Sequence, residues 1–268
     1  MAITDNIAYY DLHTRIRAPL ICSMVAATAG DRVLDVGSGT GYFAEQMSTC
    51  GAATVCVDIA RENLISLRQR LKNKLVLISA RAEQLPLSNE SFDKIIFSEV
   101  LEHIEADSGV LKELARVLRP DGILVITVPC TEYRFPSVIQ LLGIKTVHDQ
   151  EGPEKHYRKG YTLTELSEAL QQAGMTISRF VYFAHFFSQL LLDIISIMHI
   201  LTRKLFMRQK SWNWADIQQL NSSSFFSIYK ALFPVILILS KIDNLFFLST
   251  KARGSGLAIR AIKIDSPG

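Results

Sequence analysis

The chain is poor in several things that define protein classes. Its 268 residues include only four cysteines, Cys22, Cys50, Cys56 and Cys130, with no C-x-x-C spacing. A disulfide scaffold and a cysteine-rich metal site are thereby excluded, and the cysteines read as reduced core residues of a cytosolic chain. Charge of one sign is scarce: 29 basic against 26 acidic residues leave +3, with the basic residues scattered. That excludes the broad basic footprint of a nucleic-acid binder. Long apolar runs are missing as well. A membrane span needs about 18 to 20 predominantly apolar residues, and charge-free runs such as Phe180 to Leu192 stop short of that. The stretch Arg15 to Gly30 imitates a secretory leader, but Asp5 and Asp11 precede it, and cleavage after Ala29 would strip a segment feeding straight into a strand. An N-terminal helix is the better reading.

What the chain does have is a loop for a small ligand. In Val33-Leu34-Asp35-Val36-Gly37-Ser38-Gly39-Thr40-Gly41-Tyr42-Phe43 an apolar strand runs into three glycines at alternate positions and then into a helix. Such glycines reach backbone angles closed to other residues and let the main chain approach a ligand. Asp35, leaving the strand, is placed to accept from a cationic or amino group. A dinucleotide-binding turn requires G-x-G-x-x-G, and Tyr42 occupies the position of its last glycine. The next strand, Ala53 to Asp58, ends in a carboxylate about 20 residues beyond the glycines, the spacing at which an acid reaches ribose hydroxyls in nucleotide-binding α/β folds.

Further segments follow in order: Ala82-Glu83-Gln84-Leu85-Pro86, then Ser91-Phe92-Asp93 running through Ser98-Glu99-Val100-Leu101-Glu102-His103, then Leu118-Arg119-Pro120-Asp121-Gly122 turning into the apolar Ile123 to Pro129. Taken with the G-x-G-x-G loop, they resemble the motifs of the class I S-adenosylmethionine (SAM) methyltransferases, over roughly residues 7 to 184 and the terminal strand. The resemblance implies that Asp35, Gly37, Ser38, Gly39, Gly41, Asp58, Ile59, Ala82 and Ser98 hold SAM. Asp58 would take the ribose and Ile59 would pack on the adenine. One departure stands out. The family usually has an acid before Ala82, and this chain has Arg81; either Glu83 or a backbone carbonyl then meets the adenine amino group, or the adenine is held more loosely.

Strand patterns recur at 32–36, 53–58, 75–79, 92–98 and 122–128, with helical patterns at 42–49, 61–72 and 107–118 between them. This alternation predicts a parallel sheet with helices on both faces, ligands binding beyond the carboxyl ends of the strands. Thr162 and Glu165 form a capping box ahead of a helix to Ala173, Gly174 ends it, and strands follow at 176–184 and 257–264. The family resemblance implies a Rossmann-like seven-stranded sheet with an antiparallel last strand, interrupted by an insertion. The expected organisation is a SAM-binding domain of residues 1–184 plus 255–268 and an apolar helical hairpin over 185–254.

In the first hairpin helix, about 185 to 207, His185, Gln189, Asp193, Ser196, His199 and Arg203 make one polar stripe at a mean step near 3.6. A second helix is expected over about 225 to 249, with Ser227, Lys230, Lys241 and Asn244 on one side and a break at Pro234. Arg203, Lys204, Arg208, Lys210, Lys251 and Arg253, with Trp212 and Trp214, suit a hairpin lying in an anionic membrane interface. The alternative is a lid or dimer arm that buries the apolar faces on protein. A bitopic span would need Asp193 buried and paired.

Methyl transfer from a sulfonium is an in-line displacement, so proximity, alignment and a dry site matter most. A hydroxyl or protonated amine acceptor also needs a base, for which histidine suits neutral pH. His103 and His156 are the candidates placed in the site, with His148 a third. His103 could equally cap the next helix. Glu99, Glu102 and His103 form E-x-x-E-H, similar to a segment of ubiquinone-pathway methyltransferases where a divalent ion can bind; a solvated helix start is the alternative. The reading is a methyltransferase acting on a lipid, polyprenyl or lipid-linked acceptor at the cytoplasmic membrane face. A soluble acceptor and a non-catalytic SAM-binding protein are the alternatives.

Overall fold

Short β-branched and aliphatic runs, buried from both sides, form the centre of the molecule. The computed structural model describes residues 7–71, 75–133, 137–143, 155–206, 224–247 and 252–264. Strands β1 (Arg32–Val36), β2 (Ala53–Asp58), β3 (Val76–Ser79), β4 (Phe92–Ser98) and β5 (Leu118–Pro129) pair in parallel. With β6 (Met175–Phe183) and β7 (Gly256–Lys263) they make one seven-stranded sheet of order β3-β2-β1-β4-β5-β7-β6. β7 is antiparallel to both neighbours, Arg260 lying opposite Val125 and Arg179. The order reverses between β1 and β4, which opens a crevice at their carboxyl ends. The Rossmann-like sheet with an antiparallel last strand, expected from the resemblance, is thus the observed fold.

Helix α1 (Leu12–Val25) starts where the Asp11 carboxylate accepts from the His13 and Thr14 N–H groups at 3.2 and 3.0 Å. With α2 (Tyr42–Thr49) it covers one sheet face, packing Ile21, Met24, Phe43 and Met47 on Val33, Ile96 and Val125. Helices α4 (Asp107–Val117) and α6 (Leu163–Gln172) cover the other, where Val110, Leu114, Leu166 and Leu170 meet Leu34, Phe97, Leu124 and Ile259. α3 (Arg61–Leu71) packs Leu64 and Leu67 on Ala44 and Cys56. The capping box of α6 is complete: Glu165 N–H donates to Thr162 Oγ1 at 3.1 Å, and Thr162 N–H to Glu165 Oε2 at 2.7 Å.

Two local expectations change. The turn at Leu118–Gly122 lies within β5: Leu118 pairs with Phe92, the register then jumps to Lys94 opposite Ile123, and Arg119 to Gly122 bulge from the ladder. The loop after β5 contains a short helix, α5 (Val138–Leu141).

The insertion between β6 and β7 contains α7 (Phe186–Phe206), α8 (Ser224–Ser240) and α9 (Ile242–Phe247). The chain runs helically through Pro234 and breaks at Lys241 instead. There Lys241 N–H donates to Ile238 C=O in a tightened turn, while Ser240 C=O accepts from the Ser188 hydroxyl. The described part of the polar stripe faces inward, His185 and Asp193 being buried and Gln189 and Ser196 half-buried, while the side chain of His199 lies outside the described residues. His185, Ser188, Asp193, Ser240 and Asp243 are buried, whereas Leu232, Val235 and Ile238 are 52%, 54% and 66% exposed. Asp243 accepts from the Phe187 and Ser188 N–H groups, both at 2.7 Å, and so caps α7. Asp193 accepts from Ser137 Oγ at 2.7 Å, Val138 N–H at 2.6 Å and Gln189 Nε2 at 2.9 Å. Among the described residues no helix is long and apolar enough to cross a membrane. Trp212, Trp214, Arg208, Lys210 and Lys251, and the side chains of Arg203 and Lys204, lie outside the described residues, and Arg253 pairs with Glu132 at 3.1 Å.

Candidate active site

The glycine loop joins β1 to α2 at the crevice. Gly37, Gly39 and Gly41 have φ of +70°, +49° and +72°, left-handed angles that favour glycine. Packing reinforces two of them. A β-carbon on Gly37 would meet Val100 Cγ2 at 2.3 Å, and one on Gly41 would meet Leu67 Cδ1 at 2.3 Å. At Gly39 the same atom would meet open space, so this glycine presents bare backbone to the crevice. The loop is fixed from β2: Gly37 and Ser38 N–H donate to Val57 C=O at 2.8 and 3.1 Å, and Gly39 N–H to Asp58 Oδ2 at 2.7 Å. Asp58 Oδ1 accepts from Ala60 N–H at 2.8 Å. Asp58 therefore shapes the loop at the same strand end where it would meet a ribose.

Asp35 is buried, and Ala44 N–H donates to its Oδ2 at 3.1 Å. Burial, with a smaller contribution from the Asp58 charge, pushes its pKa up from 3.8 to about 7, against the lowering effect of the Ala44 bond. A buried carboxyl so poised gains from a cationic partner. Ile59 is 64% exposed beside Asp58, an apolar surface open to a flat ligand. Ala82 is half-buried on the neighbouring loop. Glu83, one option for the adenine contact, forms an ion pair with Arg81 at 2.6 Å.

The second half of the site stands at the end of β4. Glu99 follows the strand with φ +56°, unusual for a residue with a β-carbon, and its N–H donates to Thr127 C=O at 2.9 Å. A single 3-10 turn, Leu101–His103, comes next. Glu102 is 1% exposed, so the solvated helix start does not exist. Burial, reinforced by the Glu99 carboxylate, holds its pKa well above the ordinary carboxylate range. Glu99 Oε1 and Glu102 Oε2 are both inaccessible and lack a hydrogen-bond partner among the described residues.

His103 caps no helix: α4 begins four residues later at Asp107, and its N-cap position is Ala106. Instead His103 Nδ1 lies 3.1 Å from Lys155 C=O. A carbonyl only accepts, so Nδ1 carries a proton in this contact. His156, brought in from the loop before α6, meets His103 edge to face at 4.6 Å between ring centres. The Tyr157 N–H holds that loop to Glu102 C=O at 2.8 Å. Ligand atoms of Glu102, His103 and His156 lie within 4.8 Å of one another, a set that could hold a metal ion and that replaces Glu99 in the expected trio by His156. His148 lies outside the described residues.

Two functional candidates escaped the sequence reading. Arg17, buried in α1, donates from Nε to Ser98 Oγ at 3.0 Å, and Ser98 pairs in turn with Thr127 Oγ1 at 2.8 Å. Arg17 Nη1 lies 2.7 Å from His13 Nδ1, which is 3.9 Å from Glu99 Oε2. Ser98 is thus engaged with α1, and a buried cation stands at the crevice where a carboxylate-bearing ligand would find it. The H-x-x-x-R spacing of His13 and Arg17, one helical turn apart, was the available signal.

A seven-stranded α/β sheet with a glycine cradle, a buried acid behind it and a second acid at the end of β2 defines a nucleoside-binding domain of methyltransferase type. The comparisons agree. A methyltransferase-domain family matches residues 34–126. The biotin biosynthesis bifunctional protein BioHC of Cellvibrio japonicus is 33% identical over 182 residues, covering 67% of this chain and 34% of that one. A demethylmenaquinone methyltransferase of Tropheryma whipplei is 37% identical over 138 residues, covering 51% and 56%. The chain thus spans from a third to about half of the length of these curated relatives. The solved [4+2]-cyclase SpnF has the same fold, with a TM-score of 0.57 at 17% identity over 94% of this chain and 81% of that one. Residues 34–126 carry the methyltransferase domain, and the sheet around them has the fold of the class I SAM-dependent methyltransferases. The cyclase shows that the fold alone does not specify the reaction.

Proposed function

We propose that the protein transfers a methyl group from SAM to an oxygen or nitrogen of a lipid, polyprenyl or lipid-linked acceptor at a membrane face. One observation carries this: the glycine cradle with Asp35 and Asp58 opens onto the same strand ends as the His103–His156 pair. Bound SAM supplies an electrophilic methyl on a sulfonium. Asp35 and the close-approaching backbone of Gly37, Ser38, Gly39 and Gly41 hold the cofactor from the loop, Asp58 and Ile59 from β2, and Ala82 and Ser98 from the crevice walls. His103 Nε2 takes the acceptor's proton as the bond forms, and His156 bounds the acceptor on the far side. Arg17 and the buried Glu99–Glu102 pair fix charge around them.

The substrate class rests on the hairpin and on a relative whose name specifies a quinone. Residues 1–184 with 255–268 act as the SAM-binding part, and 185–254 as the part that meets the membrane. Helices whose polar residues are spent on capping and whose aliphatic residues face outward need an apolar partner. Each such side chain fully removed from water gains about 1.5–3 kcal/mol. A second reading is favoured by the convergence of Glu102, His103 and His156. A divalent ion held there would orient the oxygens of an acceptor, and activity would then fall on chelation.

The test is incubation with methyl-labelled SAM and a total membrane-lipid extract. Label in the organic phase is the expected result. SAM binding with label confined to the aqueous phase would move the acceptor to a soluble metabolite, the hairpin becoming a lid or dimer arm. SAM binding with no transfer would make the chain a non-catalytic SAM binder.

A further inference from the structure

A cleft of about 220 Å³ opens between α1, α2 and α8, lined among others by Arg15, Tyr42, Gln46, Leu237 and Lys241. The charged side chains of its lining, Arg15 and Lys241, are both cations, and among the described residues neither pairs with a carboxylate. Arg15 has only a long contact, 3.4 Å from Nη1 to Tyr9 C=O, and a position 5.7 Å from the Tyr9 ring centre. Glu45, on the same helix as Tyr42 and Gln46, turns instead to Arg70 at 3.7 Å.

On α8 the exposed residues Leu232, Val235, Ile238 and Leu239 recur at helical spacing, and Leu237 carries the helix into the cleft. Two unpaired cations thus adjoin an outward aliphatic stripe, while Gln46 Nε2 is spent on Tyr9 Oη at 2.7 Å. A free anion would use only the cations. An amphiphile with one anionic group and acyl chains uses both.

From this we infer that the α1–α2–α8 cleft is the seat of an anionic phospholipid headgroup, its phosphate between Arg15 and Lys241 and its acyl chains along the outer face of α8. The inference rests on the membrane reading of the hairpin and adds to it a defined contact with one lipid class. None of the residues assigned to methyl transfer lines this cleft. It anchors the enzyme.

Sedimentation with phosphatidylcholine vesicles, with and without phosphatidylglycerol, tests this on the full chain. Wild-type protein partitions more strongly onto the anionic vesicles. Arg15→Gln and Lys241→Gln each lower that partition about fivefold, the effect of one basic residue near an anionic surface. Lys241→Arg retains it. Lys241 is exposed, so its variant keeps the test valid even if the Arg15 variant misfolds. If wild type prefers anionic vesicles and both Gln variants match it, the cleft assignment is overturned while the membrane reading stands. If wild type binds neither vesicle, the membrane reading fails and takes the cleft with it. If glycerol phosphate releases the protein from vesicles at the concentration at which it fills the cleft, the ligand is a soluble phosphate ester and the lipid assignment is overturned.

Discussion

The sheet domain and the hairpin bury opposite kinds of residue. Around the sheet, Leu34, Ile95, Leu124 and Ile259 are sealed inside, and the buried polar groups Asp35, Asp58, Arg17 and Glu102 gather at one end of the strands. In the hairpin, Ser188, Asp193 and Asp243 are sealed inside and the aliphatic side chains of α8 stand outside. The sheet domain is folded by apolar burial against water, and its buried charges mark a site. The hairpin is held by charge-assisted caps, Asp243 on α7 and Asp193 on α5, which are strong contacts in a dry setting. Buried polarity thus means ligand chemistry in one region and architecture in the other.

The comparison breaks most visibly at the base. His103→Ala is expected to lower turnover by about 10²–10⁴-fold with SAM affinity unchanged, as loss of a positioned base does. A parallel loss of SAM affinity in calorimetry would make His103 a structural member of the pocket. Asp35→Asn should weaken SAM binding about 10–100-fold, the worth of a lost charged hydrogen bond. It should leave thermal stability at pH 8 equal or higher, because a buried carboxylate is removed.

Asp35 also fixes a pH dependence. Its pKa is raised from 3.8 to about 7, so between those values the folded chain holds the extra proton and this group's contribution to stability falls as pH rises. Pairing with a cationic ligand needs the ionised form. SAM affinity should therefore climb with pH up to about 7 and level off above it, and an affinity flat from pH 5.5 to 8 would place the cation elsewhere.

In the hairpin the analogous substitution acts on stability alone. Asp243→Ala leaves the α7 N–H groups uncapped in a buried setting and is expected to destabilise the folded protein by about 1–3 kcal/mol, with SAM affinity retained. Denaturant titration reads the first and calorimetry the second. Smallest of all, Val235→Ser and Ile238→Ser should change stability in solution by no more than about 0.5 kcal/mol, as exposed positions do. A larger loss would mean that this face packs on protein, as the dimer-arm reading requires.

Much of the fold was legible because strand and helix periods are local. β1, β2 and β4 and helix α2 begin and end where the pattern puts them, and the capping box at Thr162 is present. The glycine loop was legible for the same reason: three alternate glycines after an apolar run have few other uses. What escaped depends on partners far along the chain. Arg17 reaches Ser98 across 81 residues, and nothing local distinguishes it from Arg15, which lines the outer cleft two positions earlier. The polar stripe of α7 was visible, but periodicity reports that a stripe exists and not which way it faces. Its direction is set by Ser137, Ser240 and Asp243, contributed from three separate segments. The break at Lys241 rather than Pro234 has the same origin, since a proline removes one helical hydrogen bond whereas a tertiary hydroxyl claims the carbonyl at Ser240.

The most direct test joins the two regions in one assay. Label transfer from methyl-labelled SAM into membrane lipid is measured for wild type and for a Leu232→Ser, Val235→Ser, Ile238→Ser triple variant, with SAM affinity as the internal control. The expected result is a variant that binds SAM as wild type does but transfers little label to lipid. Equal transfer by both proteins would contradict the account, because the outward apolar face would then have no part in bringing the acceptor to the site.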